Sequence, residues 1–555
     1  MTSGLLHHNL RYAENKEELS LQEPACDSLW VTKDIEMLPF LRMMTARRKL
    51  STRVLALGMV VVGLITIIAF VTLLREEGRH NGNHHHGSKQ MFVSHLTVDH
   101  LPAPFLNKIK AAAGSDDVKT HNDNPLGVSR VAEYCNIPSG MQKGQEGEVP
   151  EGYQLTAVFL LIRHGDRTPM TTVLNIPRPS PPEGCIMNAS SLQNTPEVQN
   201  FISDMQASKG KQHPGSEFMD WSLFPQHSLC GNSQLTGTGA LQHLYNGLIL
   251  KEKYVKRANL FGETFHPSQQ LQLKSTQYSR TYQSLIAFLY AFLPHFNLTQ
   301  LDIQGAHSNV FCDPQFVPKS CCLVLSQLKG MADRQAYAHL KNKSSYLAAM
   351  TAFANVFDVK LSAISWPTAI IDTLQGHACH GIKLPCGPAK KCVSSAILEQ
   401  LWAVVDEAGR ESTKNENYDR YCRVAMHSFL SEIATEMIKV SRNHSTVKFS
   451  AFSGHDVTIS PLLQSLGLHD GKWPHYGTRV IFELYKKVGA EGKNYIKVLV
   501  NGHDMTDSVK FCQGYTNQDG VCQLKRLLNF VQSENLDFLE GKSLQTFCDS
   551  SAKAY

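Results

Sequence analysis

The longest unbroken apolar stretch of the chain is "VLALGMVVVGLITIIAFVTLL", Val54–Leu74, 21 residues without a charge. As a helix it measures about 31 Å, enough to cross a bilayer core, so it predicts a membrane span. Arg42, Arg47, Arg48, Lys49 and Arg53 precede it; Arg75, Glu76, Glu77 and Arg79 follow. The basic excess on the N-terminal side predicts a cytosolic N-terminus and a lumenal body. The span begins too far into the chain, and lacks the small-residue cleavage site, for a removed signal peptide, so an uncleaved signal-anchor is expected. Residues 1–53 carry mixed charge clusters with little periodicity and predict a disordered tail. Residues 75–130, with "GRHNGNHHHGSKQ" and "AAAGSDDVKTHNDNPLG", predict a flexible stem. The folded body is expected over 131–555.

Within the body the pattern changes to strand and helix periods. "YQLTAVFLLIR", Tyr153–Arg163, is apolar and of strand length, as expected of a buried central strand. "TVKFSAFSG", Thr446–Gly454, is a second such run, leading into "HDVTISPLLQSLGL", where Ser460-Pro461 is expected to open a short helix. "TRVIFELYKK" and "YIKVLVNG" read as two more strands, a candidate hairpin. Between the two apolar strands lie helical patterns such as "LTGTGALQHLYNGLILKEKY" and "SRTYQSLIAFLYAFL". The predicted class is α/β. One lobe is made from both ends of the body, and a mainly helical lobe is inserted within 170–445.

Composition narrows the function. The 555 residues are 42% hydrophobic, ample for a large core, and the net charge is only +5. No basic stripe interleaves with aromatics, which excludes a nucleic-acid interface. "GTGALQHLYNG" lacks the lysine and spacing of a phosphate-binding loop, which excludes nucleotide binding by that motif. Of fourteen cysteines only Cys26 precedes the span. Thirteen on the lumenal side predict disulfides and leave at least one thiol free or paired between chains. Four sequons, at Asn188, Asn297, Asn342 and Asn443, are glycosylation candidates on the same side. The run His84, His85, His86 reads as a solvated linker. "HACHGIKLPCGPAKKC" places His377, Cys379, His380, Cys386 and Cys392 close together like a zinc site, but in an oxidising lumen its cysteines are expected to be disulfides. "FCDPQFVPKSCC" reads the same way.

The chemistry concentrates where the first apolar strand stops. "LLIRHGDRTP" sets Arg163, His164, Asp166 and Arg167 in one short turn. "SGHD" brings His455 and Asp456 to the end of the second strand. In open α/β sheets ligands bind beyond the carboxyl ends of strands, so these distant segments should meet. Guanidiniums match phosphate oxygens bidentately, and burying two of them without an anion is costly.

"RHGDRTP" matches the RHGxRxP signature, and "GHD" the distal His-Asp pair, of the histidine acid phosphatases, which this chain resembles over roughly 130–550. The resemblance implies His164 as nucleophile, Asp456 as proton donor, and Arg163, Arg167, Arg280 (from "STQYSRT") and His455 as phosphate ligands. It implies no cofactor and no metal. Gln277 departs from the acidic residue of the family's third pattern. Asp166, at a variable position, is expected at most to orient an arginine. "EYCNIPSG", "HACHGIKLPC", "SRTYQSLIAFLYAFLP" and "NGHDMTDSVKFCQ" are similar to Golgi membrane members of the family. Those act on the phosphorylated xylose of the glycosaminoglycan–protein linkage region. That similarity implies a phosphorylated linkage glycan on proteoglycan core proteins as substrate, a single-pass type II Golgi location, and linkage-region glycosyltransferases as possible neighbours. The alternatives are the same chemistry on an inositol phosphate or lysophospholipid, or a non-catalytic glycan- or partner-binding protein on the same fold. The complete set of six site residues disfavours the last.

Overall fold

A computed structural model describes residues 124–549, except 139–140, 142, 171, 178–186, 188–195, 227–230, 314, 316–321, 323, 365 and 491. The predicted tail, membrane span and most of the stem lie outside the described residues, as does Asn188. Among the described residues no helix is long and apolar enough to cross a membrane.

The centre is a mixed eight-stranded sheet in the order β3-β2-β4-β1-β5-β6-β7, with β8 pairing β6. Strand β1 (Tyr153–Arg163) runs parallel to β4 (Phe449–Gly454) and antiparallel to β5 (Arg479–Lys487). Strand β2 (Leu271–Thr276) is parallel to both β4 and β3 (Ile303–Ala306). The expected hairpin is β5 with β6 (Asn494–Val500), antiparallel. The short strands β7 (His503–Asp504) and β8 (Cys522–Gln523) complete the sheet.

Both faces of β1 are buried, which is why it reads as a continuous apolar run rather than an alternating one. Val158, Leu160 and Ile162 enter one core layer with helices Gly237–Leu250 and Ser279–Phe292. Ala157, Phe159 and Leu161 enter the other, with helices His427–Ser441 and Asp456–Leu466. A third core contains no strand residue. It joins helices Ser344–Phe357, Pro367–Ala378 and Ser395–Thr413 to the N-terminal helix Ser129–Cys135.

Three expectations are corrected. The sheet lobe is not made from the two ends of the body alone: β2 and β3 lie within 170–445 and complete the sheet, and the helices around 240 and 285 pack on it. The helical cluster occupies a narrower part. The folded body also begins before 131, because Pro125 and Val128 are already buried. The helix after β4 starts at Asp456, not at Ser460. Thr458 Oγ1 accepts the His455 backbone N–H (3.0 Å) and so caps the helix four residues earlier; Pro461 is carried inside it.

Disulfides join Cys135–Cys379, Cys322–Cys548, Cys386–Cys392 and Cys512–Cys522, and Cys312 is also disulfide-bonded. The thiolates of the zinc-like cluster are therefore spent on sulfur. Among the described residues Cys422 is a free, buried thiol. Asn297, Asn342 and Asn443 are exposed.

Candidate active site

The three parallel strands β1, β4 and β2 end side by side, with Arg163 in register with Gly454 and Ser275 with Ser453. Whatever follows each strand is delivered to one place. After β1 come His164 and the turn to Arg167; after β4 come His455 and Asp456; after β2, at the second residue of the next helix, comes Arg280. All six predicted residues converge. Five of them are buried, and Asp456 keeps about a fifth of its side chain open (22%).

The signature turn is held on three sides. Gly165 N–H donates to Ser284 Oγ (3.1 Å), Asp166 N–H to Gln242 Oε1 (2.8 Å), and Thr168 N–H to the Gln234 carbonyl (2.9 Å). Its glycine is required by close approach. A Cβ on Gly165 would sit 2.2 Å from the Gly239 carbonyl oxygen, where helix Gly237–Leu250 abuts the turn.

His164 Nδ1 lies 2.8 Å from its neighbour's carbonyl, Gly165 O. A carbonyl only accepts, so Nδ1 carries the proton and Nε2 keeps its lone pair. Burial and the charges of Arg280 and Arg163 push the imidazole pKa well below its ordinary value. The ring is neutral across the physiological range.

Each guanidinium is positioned by different partners. Arg163, fully buried, donates to Tyr134 OH (3.0 Å) and to the Pro474 carbonyl, and sits 4.5 Å over the Tyr476 ring. Arg167 pairs with Asp372 (2.9 Å) and donates to its own neighbour's carbonyl, Thr168 O. Arg280 lies 4.5 Å over the Tyr278 ring and donates to His455 Nδ1 (3.3 Å). Burial and repulsion by Arg167 lower the Arg280 pKa to about 10, which leaves it charged at neutral pH. The Nε atoms of all three arginines are buried without a hydrogen-bond partner among the described residues. Buried donors are normally satisfied, so this cluster is suited to receive an anion.

His455 is occupied at both nitrogens. Arginine cannot accept, so His455 Nδ1 accepts from Arg280 and Nε2–H donates to Thr276 Oγ1 (2.9 Å). Thr276 in turn donates to Thr281 Oγ1 (2.9 Å). The ring expected to donate to phosphate is here neutral and held between Arg280 and Thr276. Asp456 receives the Trp473 indole N–H (2.7 Å) and lies 3.8 Å from Arg163. Burial alone would raise its pKa; Arg163 and Arg167 outweigh burial and hold the carboxyl ionised, below the ordinary carboxylate value.

Among the described residues Asp166 orients no arginine. It accepts from Thr236 Oγ1 (2.5 Å) and pairs with His380 (2.8 Å) from the disulfide-bearing segment. Burial disfavours the imidazolium, but Asp166 outweighs it and raises the His380 pKa. The residue that orients Arg167 is Asp372, which sequence reasoning missed. A single aspartate on an apolar helix carries no signal before the chain is folded. Tyr134, Thr276, Tyr278, Tyr476 and Trp473 were likewise invisible as site residues, although "EYCNIPSG" contains the first.

The model of the histidine phosphatase superfamily (branch 2) matches residues 154–317 and 410–501. The unmatched interval holds most of the helical cluster, including Asp372 and His380; the six predicted site residues all fall in the matched segments. Among curated relatives, 2-phosphoxylose phosphatase 1 of Homo sapiens is 31% identical over 412 residues, covering 74% of this chain and 83% of that protein. The Mus musculus protein of the same name is 32% identical, covering 74% and 84%. That of Xenopus tropicalis is 30% identical, covering 77% and 83%. An arginine-lined pocket around a neutral histidine, built on segments matching the superfamily model and shared with relatives across most of their length, makes this chain a phosphatase belonging to the histidine phosphatase superfamily, branch 2.

Proposed function

We propose that the protein removes the 2-phosphate from xylose in the glycosaminoglycan–protein linkage region, acting through a phosphohistidine. It does so as a single-pass type II protein of the Golgi membrane, supporting proteoglycan chain synthesis. The observation that carries the chemistry is the free Nε2 lone pair of His164 amid three buried guanidiniums. The relatives' name supports the substrate.

In the first step His164 Nε2 forms the bond to phosphorus as the bond from phosphorus to the sugar oxygen breaks. Nδ1–H stays on the Gly165 carbonyl and spreads the positive charge that develops on the ring. Arg163, Arg167 and Arg280 stabilise the equatorial oxygens. The departing alkoxide takes a proton from Asp456. Asp456 is ionised in the free protein, so that proton arrives with the substrate, a phosphate ester in its monoanionic form. In the second step Asp456 accepts a proton from water, whose oxygen attacks phosphorus and releases His164.

The test is phosphate release by the folded body from a 2-phosphoxyloside, with inositol phosphates and lysophosphatidate alongside. Hydrolysis led by the phosphoxyloside is expected, with label trapped on the peptide holding Arg163 and His164. His164→Ala should abolish both. Efficient turnover by that variant would mean that water attacks directly, and preference for another ester would overturn the substrate.

A further inference from the structure

A cavity of about 500 Å³ opens beside the phosphate site, lined by Asp220, Trp221, Leu235, Gln277, Tyr278 and Gln283 among others. It shares a wall with that site. The Tyr278 ring packs edge-on to His455 (4.9 Å) and covers Arg280, yet the residue remains 40% exposed. Leu235 is bridged to Arg167. A group leaving phosphorus therefore has this cavity as its neighbour.

Its chemistry is selective. Among the described lining residues none is Lys, Arg or His, and one, Asp220, is acidic. From the lining, Gln277 donates to Glu217 (2.6 Å) and accepts from His307 Nδ1 (3.0 Å), which holds a second carboxylate just outside. An acidic residue at 277 would face Glu217 as a like charge; the amide removes that repulsion. Further phosphates on a substrate would find no cation among the described lining residues. A hydrocarbon tail would bury amides and a carboxylate against nothing that can hydrogen-bond. Two aromatic faces with interspersed amide and carboxylate groups suit a flat-faced, many-hydroxyl, uncharged ring. Trp221 is held by edge contacts to Phe218 (5.0 Å) and Tyr282 (6.0 Å).

We propose that this cavity is a glycan subsite. It receives the neutral pyranose bonded to the phosphorylated sugar, with Tyr278 and Trp221 as stacking faces, so the enzyme acts on an extended chain rather than on a lone sugar phosphate. The inference deepens the phosphoxylose reading and rests on it for the identity of the phosphorylated sugar. It is tested without that reading by using xylobiose, free of phosphate, as an inhibitor of nitrophenyl phosphate hydrolysis. Xylobiose should compete, and Trp221→Ala should raise its inhibition constant at least tenfold while that of inorganic phosphate stays within about twofold. Phosphoxylosides with and without a second pyranose should differ at least tenfold in kcat/KM, and Trp221→Ala should collapse that ratio. Failure of xylobiose to compete, or competition untouched by Trp221→Ala and Gln277→Glu alike, overturns the subsite. Competition without hydrolysis of any phosphoxyloside keeps the subsite and overturns the proposed substrate.

Discussion

In the proposed mechanism the charge state of two side chains is decisive. Asp456 is an acid only if it acquires a proton, and a sugar alkoxide needs that proton far more than a nitrophenolate does. General acid catalysis contributes about a hundredfold to ten-thousandfold. Asp456→Asn should therefore slow the single-turnover burst of released alcohol from a phosphoxyloside by about that factor, and the burst from nitrophenyl phosphate much less. Equal losses, with the fold intact, would remove Asp456 from the acid role. His164 supplies a second prediction. Its pKa is depressed by burial and by Arg280 and Arg163, so the acid limb of kcat/KM should fall well below pH 6.5. Arg280→Gln removes one repulsive charge and should move that limb upward, towards the ordinary histidine value. The alkaline limb, set by the phosphate ester with its second pKa near 6, should stay in place as an internal control. An unmoved acid limb would assign it to another group.

Elements place these side chains by contact rather than by sequence proximity. The signature turn is clamped between the ends of β1 and β4 and the start of helix Gly237–Leu250. Thr236 both caps that helix, accepting from Gly239 N–H (3.1 Å), and donates to Asp166. A Cβ on Gly239 would lie 2.2 Å from the Asp166 carbonyl oxygen and 2.7 Å from its nitrogen, both backbone atoms that cannot swing aside. Gly239→Ala should cost about 1–3 kcal/mol in denaturant unfolding and lower kcat/KM by displacing His164. Gly127→Ala, where a Cβ meets nothing within 4 Å, should leave both unchanged. A Gly239→Ala variant of normal stability and activity would show the turn to be set elsewhere.

Across the whole molecule, the helical cluster and the sheet lobe share the site. Asp372 and His380 reach the signature turn from the cluster, and Tyr134 reaches Arg163 from the N-terminal helix. The Cys135–Cys379 bond spans 244 residues and ties that helix to the segment carrying His380. Removing it with Cys135→Ser and Cys379→Ser should cost about 2–5 kcal/mol. The Cys386–Cys392 bond spans only 6 residues, so removing it should cost less under the loop-closure argument. Denaturant midpoints of the two double variants check the order. An equal or inverted order would mean that strain or residual unfolded-state structure, rather than loop entropy, governs these bonds.

Local pattern was enough for much of this protein. The apolar run of β1, the hairpin β5–β6 and the helix at Ser279–Phe292 follow from hydrophobic periodicity, because each element buries its own contiguous residues. The signature, the distal His-Asp pair and Arg280 were legible because their identities and short spacings are carried within single segments. Folding alone decided that β2 and β3 complete the sheet, since strand pairing joins residues far apart in the chain. The same holds for Asp372, His380, Tyr134 and Trp473. Each is an ordinary residue in its own segment and acquires a role only when another lobe or loop brings it within hydrogen-bonding distance of a buried charge. The tautomers of His164 and His455 also came from tertiary structure, because a ring's proton is set by the partner that its other nitrogen meets.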